Sequence, residues 1–145
     1  MTTETDPAEI RRLVDELASA LRAHDLEAAM SIYAPDVVSF DIEPPLQHVG
    51  AEAKRKNWER VFAAYECPLG YEVRELTITV GEDVAFAHSL NRLSGTLRNG
   101  AKTTGFWVRA TTCFRKLNGR WAIAHDHVSV PFDMSTGTAL VNLEP

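Results

Sequence analysis

The chain has 145 residues, 45% of them hydrophobic, and a formal net charge of −5 from 15 Lys and Arg against 20 Asp and Glu. That length and composition fit one compact domain over residues 1–145, with a sizeable core and no room for a second. The acidic balance and the scatter of Lys and Arg argue against a nucleic-acid partner or an anionic membrane, and the polar start and lack of a long apolar run suggest a cytoplasmic protein.

Asp6-Pro7-Ala8-Glu9 reads as a helix start with Asp6 as N-cap, followed by Ile10, Leu13, Val14, Leu17 and Leu21 at helical spacing. Asp25 is placed as the cap of a second short helix carrying Leu26, Ala29, Met30 and Tyr33 inward and ending before Pro35. Residues 37–42 have strand composition, stopped by Pro44-Pro45, and Asp41 is their one charge. Gly50 opens a third helix in which Trp58, Val61, Phe62 and Tyr65 form an apolar stripe. From Tyr71 the pattern turns to strands, 71–80, 84–94, 104–116 and 120–132, with turns at Gly81-Glu82-Asp83, Asn99-Gly100 and Asn118-Gly119. Helices followed by an antiparallel meander make an α+β fold, with the helices covering one face of a curved sheet. Cys67, in a Pro-Gly loop, and Cys113, within a strand, have no zinc-ligand spacing and no context that favours a disulfide.

The last strand carries the most chemistry. Strict alternation puts Trp121, Ile123, His125, His127 and Ser129 on one face, and Ala122, Ala124, Asp126, Val128 and Val130 on the other. His125 and His127, about 6.7 Å apart along such a strand, suit two ligands of one metal with His88 or Asp41 as a third. Local spacing supplies only two ligands, so the expectation is a pocket wall with no metal and no cofactor.

The position of Arg109 depends on the Asn118-Gly119 turn. A two-residue primed turn sets Leu117 opposite Arg120 and, counted back along a regular ladder, separates Arg109 and His127 onto opposite faces. A three-residue turn with glycine left-handed sets Arg109 opposite His127 and Thr111 opposite His125. The second register gathers Trp107, Arg109, Thr111, His125 and His127 on one face and leaves the other mainly apolar, so it is the expected one. Asn91 and His88 fall on opposite sides of their strand, and Asn91 is assigned to the pocket. Trp58 and Trp107 are read as its walls. His24, at a helix end, and His48, in a loop, are read as surface residues.

The order helix, short helix, strand, helix, meander, together with residues 34–41, 45–50, 88–92, 107–111 and 125–131, resembles the cone-shaped fold of nuclear transport factor 2 and ketosteroid isomerase. Within that superfamily the chain resembles the SnoaL-like, ketosteroid-isomerase-homologue group of bacterial proteins. The resemblance implies a ligand pocket inside the cone and a homodimer formed through the sheet. It places Asp41 nearest the general base of ketosteroid isomerase, an enzyme in which an aspartate moves a proton and a tyrosine with a protonated aspartate binds the oxyanion. Joined to the residue pattern, the expectation is a cofactor-free isomerase or cyclase moving a proton beside a carbonyl. Asp41 or His127 would be the base, Arg109 and His125 the oxyanion partners, and Trp58, Asn91, Trp107 and Thr111 the ligand contacts. The competing expectation is a non-catalytic ligand-binding or dimerisation module of the same fold, as in the association domain of calmodulin-dependent kinases.

Overall fold

A computed structural model describes residues 5–145; the first four residues of the polar start lie outside the described residues. Among the described residues, three helices, α1 (Thr5–Arg22), α2 (Leu26–Met30) and α3 (Ala51–Ala64), accompany nine strands. These are β1 (Tyr33–Phe40), β2 (His48–Val49), β3 (Gly70–Val80), β4 (Val84–Thr96), β5 (Lys102–Thr103), β6 (Trp107–Leu117), β7 (Arg120–Ser129), β8 (Phe132–Asp133) and β9 (Thr138–Ala139). The main sheet runs β2-β1-β7-β6-β4-β3, with β1 parallel to β7 and the other pairs antiparallel, while β5 adds to β4 and β8 pairs with β9. No helix among the described residues is long and apolar enough to cross a membrane.

Burial explains why the helices lie where they do. Ile10 and Leu21 of α1 are fully buried, and Ile10 joins Ile32, Tyr33, Val37, Ala85, Ala87, Phe114, Trp121 and Ile123 in one core between helices and sheet. Asp25 caps α2 as expected, accepting from the Ala28 amide at 3.1 Å. Asp6 does not cap α1: it lies within the first turn, 2% exposed, and its carboxylate accepts from Lys116 Nζ and Trp121 Nε1, each at 3.2 Å. A buried indole N–H and a lysine therefore claim the carboxylate that local sequence assigned to the helix end. Strand β1 begins at Tyr33, earlier than composition suggested, because it docks in parallel on β7 with Tyr33 opposite Ile123. An irregularity between Tyr33 and Val38 accommodates Pro35.

The β6–β7 hairpin corrects the expected register. Leu117 faces Arg120, and Asn118 and Gly119 have φ of 52° and 79°, so the connection is the two-residue primed turn. The ladder is then broken between Cys113 and Phe114, where Ala124 of β7 is the extra residue. This bulge reverses the alternation of the strand beyond it. Trp121 and Ile123 point to the helices, whereas His125 and His127 point away and Asp126 points in. Arg109 lies opposite Ser129, Thr111 opposite His127 and Cys113 opposite His125. The five residues expected on one face do share it, but it is the face turned from the helices. A second irregularity, in β3 around Glu75 with φ 55°, adds to the curvature of the sheet.

Candidate functional site

The interior of the cone holds a group of polar side chains built from α3, β1 and β7. Lys54 of α3 lies one turn before Trp58 and reaches back over β1 and β7, its Nζ 2.8 Å from Asp126 Oδ2 and 3.2 Å from Ser39 Oγ. Ser39 Oγ in turn donates to Asp126 Oδ1. Ser39 is 1% exposed, and the side chains of Lys54 and Asp126 are 8% and 16% exposed. The bulge at Ala124 is what brings Asp126 here, opposite both Ser39 of β1 and Thr112 of β6. The Lys54 ammonium also lies 5.4 Å from the ring centroids of Tyr33 and Trp58. Trp58 Nε1 donates to the Tyr33 hydroxyl at 3.1 Å. Burial first, then the negative charge of Asp126 and, more weakly, of Asp41, pushes the Tyr33 phenol well above its usual value.

Beside this group is a cavity of about 40 Å³, with Val14 and Leu17 of α1, Leu76, Ala87, Phe114 and Ile123 as its apolar lining and Tyr71, Ser89, Asn91 and Thr112 as its polar lining. Ligand pockets commonly enclose roughly 300 to 1,000 Å³. The closed cone therefore has room for water or a very small ligand unless α1 moves. Ser89 Oγ donates to Asn91 Oδ1 at 2.8 Å, and Asn91 Nδ2 donates to the Tyr71 hydroxyl at 3.0 Å.

Only some residues singled out from the sequence meet in this interior. Trp58 and Asn91 do, and half-buried Asp41 stands at the end of β1, two residues beyond Ser39 and close enough to act on Tyr33. Arg109, Thr111, His125, His127 and Trp107 line the opposite face of the sheet. There Arg109 and His127 are exposed, and Arg109 Nε donates to Ser129 Oγ at 3.2 Å. His125 Nδ1 donates to the Val38 carbonyl at 2.6 Å, and Phe40 packs edge-on against both histidine rings. Trp107 is flanked by the Arg74 and Arg92 guanidiniums, each 4.8 Å from its ring, and its Nε1 donates to Glu144. His48, read as a surface residue, is 8% exposed in β2 opposite Ser39. Among the described residues no group of three or more His, Cys, Asp and Glu is disposed to hold a metal ion.

Sequence reasoning missed Lys54, Asp126, Tyr33 and Tyr71 as members of this site. A signal existed for two of them. Lys54 occupies the apolar stripe of α3, four residues before Trp58, and Asp126 is the one acid on the otherwise apolar face that alternation gives its strand.

A model of the SnoaL-like domain matches residues 10–133. Among solved structures, an NTF2-like protein of unknown function from Pseudomonas putida KT2440 is 33% identical, with all of each chain covered and a TM-score of 0.88. A proposed dehydratase of the NTF2-like family from Streptomyces avermitilis is 18% identical, with 88% of this chain and 97% of that one covered and a TM-score of 0.76. A ketosteroid isomerase-like protein from Erwinia carotovora atroseptica is 22% identical, with 88% and 97% covered and a TM-score of 0.73. No curated protein matches the sequence.

Proposed function

The chain belongs to the SnoaL-like family, and on that footing we propose that it is a cofactor-free enzyme of the isomerase or cyclase kind, moving a proton next to the carbonyl of a small molecule held inside the cone. Asp126 is the base that takes the proton and returns it at carbon, Lys54 and Ser39 hold its carboxylate in place, and Asp41 is a second carboxylate beside the same interior. The observation that carries this reading is the buried Lys54, Asp126 and Ser39 group next to a cavity. A buried ion pair is a poor device for stability, because desolvating two charges offsets most of their attraction. Its position beside a cavity, with Asp126 paired to the lining residue Thr112, favours a functional role instead. Arg109, His125 and His127, on the far face, have no part in this step.

The test is deuterium incorporation at the α-carbon of small cyclic ketones in D2O, followed by NMR. Exchange above the buffer rate, reduced at least about 100-fold by Asp126→Asn, is the expected result. No incorporation into any ketone, or equal rates in the variant, would contradict the proposal.

A second reading concerns assembly, and a specific observation favours it. On the outer face Val84, Phe86 and Phe40 are 58%, 46% and 36% exposed, an apolar surface for which a second copy of the chain is the proposed cover. Sedimentation should show a dimer that Phe86→Glu converts to monomer, and a wild-type monomer at all concentrations would end this reading. The two readings are compatible, since they use opposite faces of one sheet.

A further inference from the structure

The corner of the outer face around Trp107 holds a carboxylate that comes from outside the sheet. Glu72 of β3, Arg92 of β4 and Trp107 of β6 lie side by side in one row of paired residues. Arg92 NH2 donates to Glu72 Oε1 at 2.6 Å, and Arg74 NH2 reaches Glu72 Oε2 at 3.6 Å. Both guanidiniums lie 4.8 Å from the Trp107 ring. One carboxylate of the sheet thus serves two cations, and Arg92 Nε is buried with no acceptor among the described residues. The second negative charge is Glu144, whose Oε2 accepts from Trp107 Nε1 at 3.0 Å.

That second charge is held loosely. Trp58 and Trp121 donate to Tyr33 and Asp6, both buried in packed elements, whereas Glu144 belongs to a segment that follows β9 with neither helix nor strand. The Leu140 amide is tied to the Pro131 carbonyl at 2.8 Å, and among the described residues no backbone hydrogen bond follows it. Val141 and Leu143 remain 51% and 47% exposed. A segment with so few buried contacts opens at small cost. Its release uncovers an indole N–H beside two guanidiniums that share one carboxylate. Arg92 and Phe86 are six residues apart on β4, about 20 Å of strand, so the corner is distinct from the apolar patch, and it lies across the sheet from the interior.

We propose that the Trp107 corner is a docking site for an acidic segment of a partner protein, one that presents a carboxylate to Trp107 Nε1, Arg74 and Arg92, and that Glu144 keeps the site closed as an internal competitor. The present occupant identifies the chemistry: a glutamate with an apolar residue before it, as Leu143 precedes Glu144. Guanidiniums suit such a carboxylate. A small free carboxylate does not displace Glu144, because a tethered group has an effective concentration in the millimolar range. A segment that adds buried apolar surface does.

The experiment uses the whole protein labelled with ¹⁵N and follows the Trp107 indole N–H resonance, identified by its loss in Trp107→Phe, while amide spectra confirm the fold of each variant. The probe is the peptide acetyl-Leu-Val-Asn-Leu-Glu-Pro, with a copy carrying Gln for Glu and with acetate as controls. Glu144→Gln removes the charged acceptor and moves the resonance upfield. Adding the peptide moves it back, with an affinity at least about 10-fold higher for Glu144→Gln than for the wild type, whose site is open only part of the time. In the Glu144→Gln background, Arg92→Gln weakens peptide binding at least about 10-fold, the worth of a hydrogen bond to a charged group. Arg74→Gln, at a side chain 53% exposed, weakens it about 3-fold.

An indole resonance unmoved by Glu144→Gln, or equal affinity of the wild type and Glu144→Gln for the peptide, would overturn the proposal. So would full affinity for the Gln peptide, or an Arg92→Gln protein that binds as before. If Arg92→Gln does not fold, Arg74→Gln decides in its place, and unchanged affinity there overturns the proposal. Acetate that restores the resonance as well as the peptide does at equal concentration would also overturn it, since the corner would then be a site for small carboxylates.

Discussion

Replacing Lys54 by Met separates the two roles a buried ion pair can have. At 2.8 Å and an effective dielectric near 20, the attraction between Lys54 and Asp126 is about 6 kcal/mol, most of which offsets the desolvation of both charges. Lys54→Met discards the attraction and leaves the Asp126 charge buried with Ser39 as its remaining partner in the group, a loss of about 3 to 5 kcal/mol. With an unfolding entropy of about 0.3 kcal/mol/K for 145 residues, that is a fall in Tm of about 10 to 16 °C. The double variant Lys54→Met/Asp126→Leu removes both charges and should recover to within about 1 kcal/mol of the wild type. Urea unfolding of the four proteins of the cycle gives the coupling directly. A stable double variant without deuterium exchange would show that the pair serves the chemistry. The argument is refuted if Lys54→Met costs less than about 1 kcal/mol, or if the double variant is as unstable as the two losses added.

Three further outcomes follow from particular contacts. Asp6→Ala removes the shared acceptor of Lys116 and Trp121 and should cost about 2 to 3 kcal/mol in urea unfolding. Gly105 has φ +68°, and an added Cβ would lie 1.7 Å from the Leu93 carbonyl oxygen, so Gly105→Ala should cost more than about 2 kcal/mol or abolish soluble expression. His24, stacked on Phe62 at 4.5 Å, has a pKa lowered from 6.5 by burial and then by Arg98. A depressed histidine pKa means that the unfolded chain takes up the proton first. Its contribution is therefore full above about pH 7.5 and declines as pH falls through 6.5. His24→Asn, which tolerates the positive φ of 54° there, should flatten that part of the stability profile, and a profile unchanged by the substitution would contradict the assignment.

Element order and the α+β class were legible because each rests on local pattern: the stripe of α1, the glycine that opens α3 and the turn residues between strands. The contents of the site were not, and Ala124 is the reason. Nothing in the run Ile123-Ala124-His125 announces a bulge, yet one unpaired residue there turns Asp126 inward and both histidines outward. The expected grouping of Arg109, Thr111, His125 and His127 was reached through a three-residue turn that the protein does not have. The bulge supplies a one-residue offset in the opposite sense farther along the hairpin, which restores the shared face but sets Arg109 opposite Ser129, two residues from the expected partner. Tyr71 and Asn91 meet through strand pairing over a separation of 20 residues, and Lys54 meets Asp126 across 72, contacts that depend on tertiary placement and leave no mark in local periodicity. Asp6 shows the same limit, since a motif that caps a helix locally is drawn instead to Trp121, 115 residues away.

The most direct test of an interior site is a crystal structure of the protein soaked with cyclopent-2-enone. The ketone is expected inside the cone, against the cavity lined by Tyr71, Asn91 and Thr112, with its α-carbon facing Asp126. Density for the ketone beside His127 and Arg109 on the outer face, with the interior closed by its own side chains, would contradict the account.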